Sequence, residues 1–335
     1  MGVGIEGNGV ELVLCLHGDA RAYTMRKALL LYNPLSGRRH GRRVDEVECA
    51  RAVLQAGGVD ATSAATAGPS DAAEQAKQAI RDGCDTVFAC GGDGTVHDVV
   101  QGLVGSDAAL GVIPLGTANS LANDLGLPLS PKGAARAALT AQPRRIAVGR
   151  VAYQDLNGEK NMRYFTVTAG VGMDAHLFYK MSPLAKRRLG MAAYYVKATR
   201  LWLTHKIENF AVDFDAETGR SEEVGQLLAV RIRNFGGVLR ELAPGASLDR
   251  DDLRLVLFHT RSRAAYLRYV LRGLLGQTWQ VPGIELVHSS CVQCRSIEAE
   301  ASSRIFVEAD GELLGTLPAK IDVVPDALTI LAPSV

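Results

Sequence analysis

Val87-Phe88-Ala89-Cys90-Gly91-Gly92-Asp93-Gly94-Thr95-Val96-His97-Asp98-Val99-Val100 is the stretch that decides the fold. An apolar run meets three glycines set around one aspartate, and valines then recur at helical spacing. The order reads as buried strand, tight turn and helix start. Glycines admit positive φ and let a backbone approach a bulky anion, while a helix start offers unpaired N–H groups to phosphate oxygens. Asp93 in that turn has the chemistry to hold a metal ion or to accept a proton. A nucleotide-phosphate site is the first expectation.

Upstream, residues 28–32 form a short apolar run ending in the turn cluster Asn33-Pro34-Leu35-Ser36-Gly37. Arg38, Arg39, Arg42 and Arg43 follow, then Val44, Val47, Ala50, Val53 and Leu54 at helical spacing. Residues 61–67 read as a weak second strand with Thr66 at its end, and Pro69-Ser70-Asp71 opens an Ala-rich helix. Downstream, residues 110–114 are another short strand, followed by Leu115-Gly116-Thr117-Ala118-Asn119-Ser120. Alternating strands and helices predict an α/β domain, a parallel sheet wound on both faces, with ligands beyond the C-terminal strand ends.

From about Ile146 the period falls to two. Strands are expected at 148–153, 163–168, 210–214, 226–233, 253–259, 284–287, 291–297 and 304–308, with helical inserts near 186–206 and 263–276. This predicts a mostly antiparallel second domain, a β-sandwich. The expected organisation is a loose extension over 1–24, a nucleotide-binding domain over 25–147 completed by 316–335, and a substrate-binding sandwich over 148–315. Residues 1–24 are read either as that extension or as a translation start assigned too far upstream.

The chain has 335 residues, 47% hydrophobic and 22% charged, which suits packed cores rather than disorder. Its net charge of +1 gives no global attraction to nucleic acid. The six cysteines are scattered, as in a reducing compartment. The close pair Cys291-Val292-Gln293-Cys294 lacks the second pair a zinc site wants and the helix start a redox pair wants. It reads as two ordinary thiols. No apolar run approaches the ~20 residues of a membrane span, and no basic region precedes an apolar stretch at the N-terminus. A cytoplasmic location is expected.

Asn33-Pro34-Leu35-Ser36-Gly37, Gly91-Gly92-Asp93-Gly94-Thr95, Pro114-Leu115-Gly116-Thr117-Ala118-Asn119 and Asp310-Gly311-Glu312 together resemble the motifs of diacylglycerol-kinase-like lipid kinases. That family includes bacterial lipid kinases and sphingosine kinases. The resemblance implies ATP bound in a cleft between the two domains, contacted by Thr66, by the turn Gly91, Gly92, Asp93, Gly94, Thr95, Val96 and His97, and by Gly116 and Thr117. Asn33, Ser36 and Gly37 would line the same crevice, Arg38 and Arg39 would attract phosphate, and Asn119 would pin its loop. Phosphoryl transfer needs a cation and a base. Asp93 is the candidate holder of Mg2+, Glu312 the candidate base, and Asp310 a carboxylate that assists or binds metal. Which of them takes the proton stays open. Read singly, these features have plainer accounts: a Thr66 hydroxyl bonding its own turn, a solvated arginine-rich helix start, an Asp-Gly hairpin.

Two positions depart from the family pattern. Many bacterial members carry an acid after the residue matching Asn119, where this chain has Ser120, with Asp124 four residues on. Bacterial relatives also hold a structural Mg2+ in an Asp-rich loop; here the loop is Ser247-Leu248-Asp249-Arg250-Asp251-Asp252-Leu253, and Arg250 would repel the ion. The segment Gly170-Val171-Gly172-Met173-Asp174-Ala175 matches a family glycine turn that either shapes the acceptor site or is structural.

Between Asp174 and Glu208 there are seven Lys/Arg and no acid, with Tyr194, Tyr195 and Trp202 interleaved. From Leu253 to Ile284 there are five Arg and no acid around Tyr266, Leu267, Val270, Leu271, Leu274 and Leu275. Such segments suit an anionic membrane surface, and each alone also suits a core-facing helix with a solvated basic face. The expected partner is therefore a lipid substrate met by peripheral contact at the inner membrane face, with no nucleic acid; a homodimer is left open. NAD kinases and phosphofructokinases share the Gly-Gly-Asp-Gly turn, so a kinase of another substrate is the rival reading, and a non-catalytic nucleotide or lipid sensor is the third.

Overall fold

A computed structural model describes residues 23–34, 42–172, 207–214, 219–237, 241–277, 279–297 and 305–333. Ser36, Gly37, Arg38, Arg39, residues 1–22 of the expected extension, Met173–Ala175 and the basic segment to residue 206 lie outside them.

The N-terminal half alternates β1 (Lys27–Tyr32), α1 (Arg43–Ala56), β2 (Asp60–Ala65), α2 (Pro69–Arg81), β3 (Thr86–Gly91), α3 (Asp93–Leu103) and β4 (Ala109–Pro114). Every residue of β3 and β4 is buried, as continuous apolar runs are in a parallel sheet covered on both faces. The parallel order is β2-β1-β3-β4. The chain therefore reverses its winding between β1 and β3, the position where doubly wound sheets open a ligand crevice. Then come α4 (Ser120–Asp124) and α5 (Pro131–Thr140). Ser130 caps α5 by accepting the Gly133 N–H at 3.1 Å, with Pro131 in the first helical position. One apolar core joins the sheet to α1 and α5, and another joins it to α2 and α3.

The remaining strands are β5 (Gln142–Gln154), β6 (Lys160–Phe165), β7 (Thr168–Gly172), β8 (Phe210–Phe214), β9 (Ser221–Val224), β10 (Gln226–Val230), β11 (Leu253–Phe258), β12 (Ile284–Ser289), β13 (Cys291–Ser296), β14 (Phe306–Ala309) and β15 (Glu312–Ala332), with α6 (Arg263–Leu274) after β11. Their mutual pairings are all antiparallel. One layer runs β12-β11-β10-β7-β14-β15, and a second is built from β5, β6, β8, β9 and β13. A core from β5, β7, β10, β11, β13, β14 and β15 fills the space between, as in a β-sandwich. β15 is the longest strand, at 21 residues. It starts beside β14, pairs with β5 along most of its length, and ends parallel to β4 through Thr329↔Ala109 and Ile330↔Leu110. A single strand thus belongs to both halves.

Two local expectations change. The run over 163–168 is not one strand. β6 stops at Phe165 and β7 starts at Thr168, because the N–H groups of Thr166, Val167 and Thr168 turn to the Asp310 carboxylate. Gly170 lies inside β7 and not in a turn: it pairs with Leu228 and Glu308, and a Cβ there would come within 2.7 Å of Glu308 Oε1. Cys291 and Cys294 sit on strand β13, in keeping with two ordinary thiols.

Candidate active site

The strand-end loops meet through their glycines. None of Gly91, Gly92 and Gly94 has positive φ, so the expected reason for glycine here is replaced by close approach. A Cβ on Gly91 would strike Thr95 Oγ1 at 2.2 Å, one on Gly116 would lie 2.4 Å from Gly92 Cα, and one on Gly94 would lie 3.0 Å from Glu312 Oε1. The turn after β3 thus touches the loop after β4 backbone to backbone and meets the β14–β15 hairpin at its other face. α3 begins at Asp93, so its first N–H groups open at this junction.

The loop after β4 is held by its own side chains. Asn119 adopts the left-handed conformation (φ 52°), accepts the Gly116 N–H at 2.8 Å and donates to the Gly116 carbonyl at 3.2 Å. Thr117 is left exposed. Arg43, fully buried at the start of α1, donates to the Leu115 carbonyl at 2.9 Å. Its place in an arginine run gave no sign of this inward role. Thr66 is buried at the end of β2, where its N–H and hydroxyl both reach the Tyr32 carbonyl (2.8 and 3.4 Å) beside Asn33. The hydroxyl thus bonds the end of the neighbouring strand β1 and not its own turn, as the plainer account had it.

Asp310-Gly311 is a two-residue hairpin loop, with φ of 49° and 84° and Ala309 paired with Glu312. The Asp310 carboxylate points inward. Oδ1 accepts the N–H groups of Val167 (2.9 Å) and Thr168 (3.0 Å), while Oδ2 accepts that of Thr166 (3.1 Å) and lies 3.3 Å from His97 Nδ1. Both side chains are almost wholly buried. Four partners leave little of either oxygen for a metal ion, so the expected metal-binding role of Asp310 does not fit this geometry. His97 and Val96 also turn away from the crevice, His97 to Asp310 and Val96 into the core. Of the expected ligand-contacting run 91–97, Asp93 and Thr95 are then the side chains left at the turn, and the glycines offer backbone alone.

Asp93 Oδ1 accepts the Ser120 N–H at 2.6 Å, so position 120 contributes its backbone where the family pattern has an acid. Burial raises the Asp93 carboxyl above its usual range; the Ser120 N–H opposes that, and the Asp310 charge adds to it. Glu312 is open to solvent on one side, yet desolvation by the protein around it raises its carboxyl, with His97 opposing and Asp310 adding. Asp98, half-buried on the next turn of α3, is pushed up to about 6, chiefly by burial, with His97 and Arg163 opposing and Glu312 adding. Sequence reading passed over Asp98; its only signal was its place beside His97 on the same helix. Burial works against the charged form of His97, but the hydrogen bond and charge of Asp310, with Asp98 and Glu312, outweigh it and raise its pKa. Three carboxyls, those of Asp98, Asp310 and Glu312, therefore share one imidazole, Arg163 acts on Asp98 from farther off, and Asp93 adds a fourth acid that feels the Asp310 charge. Such a cluster is short of positive charge, which is the electrostatic condition a divalent cation at Asp93 would relieve.

The Ser247–Leu253 loop shows the opposite condition. Arg231, completely buried, extends its guanidinium into it. Nη1 donates to the carbonyls of Arg250 (2.7 Å) and Asp252, and Nη2 to those of Ala147 (2.8 Å) and Leu248 (3.4 Å). Asp249 is bonded by Arg144 at 2.7 Å, and Asp252 by Arg250 and by His288. The carbonyl cage already holds a cation, and two of its three acids are paired with cationic side chains. A structural Mg2+ does not fit here. Nearby, Asp124 Oδ1 accepts the N–H groups of Arg233 (2.9 Å) and Asn234 (2.8 Å), which fastens α4 to the segment after β10.

Comparison with known proteins places this geometry. Residues 27–151 match the family model described as the diacylglycerol kinase catalytic domain, and residues 166–332 match the YegS C-terminal NAD kinase beta sandwich-like domain. The diacylglycerol kinase of Mycobacterium tuberculosis is 31% identical over 94% of this chain and 98% of its own length; that of Bacillus subtilis is 29% identical over 88% and 93%. A Bacillus anthracis crystal structure described as a diacylglycerol kinase superposes with a TM-score of 0.66 at 19% identity, covering 92% of this chain and 98% of that one. Yeast NADH kinase in complex with NADH shares the fold at a TM-score of 0.53 and 9% identity, over 92% and 84%. Matches of this extent to both halves make the protein a kinase, a phosphotransferase: the chain belongs to the diacylglycerol kinase family.

Proposed function

We propose that the protein is an ATP-dependent lipid kinase that transfers the γ-phosphate of ATP to a lipid hydroxyl. The supporting observation is the approach of Glu312 Oε1 to Gly94, within 3.0 Å of where a Cβ would stand. It puts a carboxyl from the sandwich half over the glycine turn and helix start of the nucleotide half. Glycine is the residue that permits this approach. The N–H groups at the start of α3 cradle the phosphates, and Asp93 would hold Mg2+ directly or through water. That ion would supply positive charge against the negative charge of the phosphates.

Glu312 takes the proton of the acceptor hydroxyl as that oxygen attacks the γ-phosphorus, and ADP leaves with the bond to its β-phosphate oxygen broken. A carboxyl raised above its usual range is better matched to proton transfer near neutrality. Asp310 acts as a positioning residue: its four contacts fix the hairpin from which Glu312 projects. The names of the curated relatives make diacylglycerol the first acceptor to test.

The test is incubation of the purified protein with radiolabelled ATP and Mg2+ against diacylglycerol, phosphatidylglycerol, a sphingoid base and NAD. Labelled lipid that disappears with Glu312→Ala is the expected result. Label in NAD alone would replace this reading with a nucleotide kinase, and no label in any acceptor would leave the non-catalytic sensor.

A further inference from the structure

α6 is inside out. Its inward face carries Ala265, Tyr266, Tyr269, Arg272 and Gly273, while its leucines face away from the protein. Leu267, Val270, Leu271, Leu274 and Leu275 on the helix, and Trp279 just after it, are between 40% and 64% exposed. These six are more than half of the eleven large apolar side chains exposed among the described residues, gathered into 13 positions. A contiguous patch of this kind marks an interaction surface, unlike scattered exposed leucines.

Along the segment that carries the patch the charges are of one sign. No acid occurs between Leu253 and Ile284, whereas Arg261 and Arg268 are exposed beside the patch. Under the helix lies a cavity of about 540 Å3, whose lining includes Arg254, Tyr269, Arg272 and Val281. Arg272 is almost fully buried there. One Nη donates to the Leu242 carbonyl at 3.1 Å, the guanidinium lies 4.3 Å from the Tyr269 ring centre, and Nε has no hydrogen-bond partner. Arg254 donates to the Pro244 carbonyl at 2.7 Å. Neither arginine has a carboxylate partner among the described residues. Glu285, also on the cavity wall, is bonded by both oxygens to Arg220.

We propose that α6 and Trp279 form a docking face for an anionic phospholipid surface, the apolar side chains entering the interface and the exposed Arg261 and Arg268 meeting headgroup phosphate. Leucines and a tryptophan in an acid-free segment with exposed arginines match the chemistry of such an interface. This inference rests on the reading that the acceptor is a membrane lipid, which has to be met at a membrane surface. Among the described residues, no helix is long and apolar enough to cross.

The experiment uses the full chain with phosphatidylcholine vesicles and with vesicles in which part of the lipid is phosphatidylglycerol. Co-sedimentation is measured for the wild type and for Leu271→Glu/Leu275→Glu, both exposed positions. Trp279 emission is read in a Trp202→Phe background, since the chain has two tryptophans. The wild type should bind the anionic vesicles, with blue-shifted Trp279 emission, and the double variant should bind about tenfold or more weakly. Phosphorylation of a short-chain, dispersed acceptor should be equal in the two. Equal vesicle binding by the double variant overturns the proposal. Indifference to phosphatidylglycerol overturns the arginine part, and a wild-type dimer that the double variant dissociates, without vesicle binding, makes the face a self-association surface. Loss of vesicle binding together with no turnover of any dispersed lipid sinks the kinase reading while the docking face stands.

Discussion

His97 Nδ1 and Asp310 Oδ2 lie 3.3 Å apart, 213 positions separated in the chain and buried on both sides. The pair fastens α3 of the nucleotide half to the β14–β15 hairpin of the sandwich half. One hairpin thus carries two carboxyls with different surroundings: Asp310 enclosed by N–H donors, and Glu312 open beside Gly94.

That difference separates the two acids experimentally. Asp310→Asn turns an NH2 group toward backbone donors that are already buried and weakens the tie to His97. It should cost about 2–4 kcal/mol of stability, read from urea unfolding. Glu312→Gln should leave the unfolding midpoint in place while turnover falls about 10²–10⁴-fold. An Asp310→Asn protein of undiminished stability and lost turnover would transfer the base role to Asp310.

Asp98 gives a pH signature. Its carboxyl titrates near 6 when folded, above the ordinary carboxylate range, so the folded state holds the proton more tightly than the unfolded chain does. Stability from this group is full below the unfolded pKa of about 3.9 and is lost as pH rises through about 6. Asp98→Asn removes that loss. Its melting temperature should exceed the wild type's at pH 7.5, with the gap closing toward pH 4. A gap independent of pH would mean that the substitution acts through packing alone.

The sequence made the repeating α/β texture legible because buried parallel strands are short apolar runs and the loops after them carry glycines and hydroxyls. The hairpin at Asp310-Gly311 was legible for a similar reason, since Asp-Gly suits two consecutive positive-φ residues. Two other features were not. The break between β6 and β7 is imposed by a carboxylate more than 140 residues away, which no local pattern at Thr166 records. Arg231 looks like any strand-end arginine, and only the tertiary convergence of four carbonyls reveals its buried role.

Asp93 is expected to manage the metal. Asp93→Asn keeps an oxygen able to accept the Ser120 N–H but removes the charge, so the loop should hold while Mg2+ affinity falls. The measurement is turnover against Mg2+ concentration: half-saturation should move upward, with partial recovery at high Mg2+. Lost turnover with an unchanged Mg2+ dependence would assign the proton, and not the ion, to Asp93.

Arg231 decides whether the Ser247–Leu253 loop depends on metal. Its guanidinium supplies fixed donors to four carbonyls in two segments, β5 and the loop, a span that one lysine ammonium cannot reproduce. Burial lowers its pKa to about 10, still well above neutrality, so the charge is present at working pH. Without nucleotide, the wild type should unfold at the same temperature in EDTA as in Mg2+. Arg231→Met should lose about 3 kcal/mol or more, because it leaves carbonyls and the nearby Asp249, Asp251 and Asp252 without their central cation. Arg231→Lys should recover only part. If EDTA lowers the midpoint of the wild type and of Asp93→Asn alike, a divalent ion shares the loop and the guanidinium is not its sole cation.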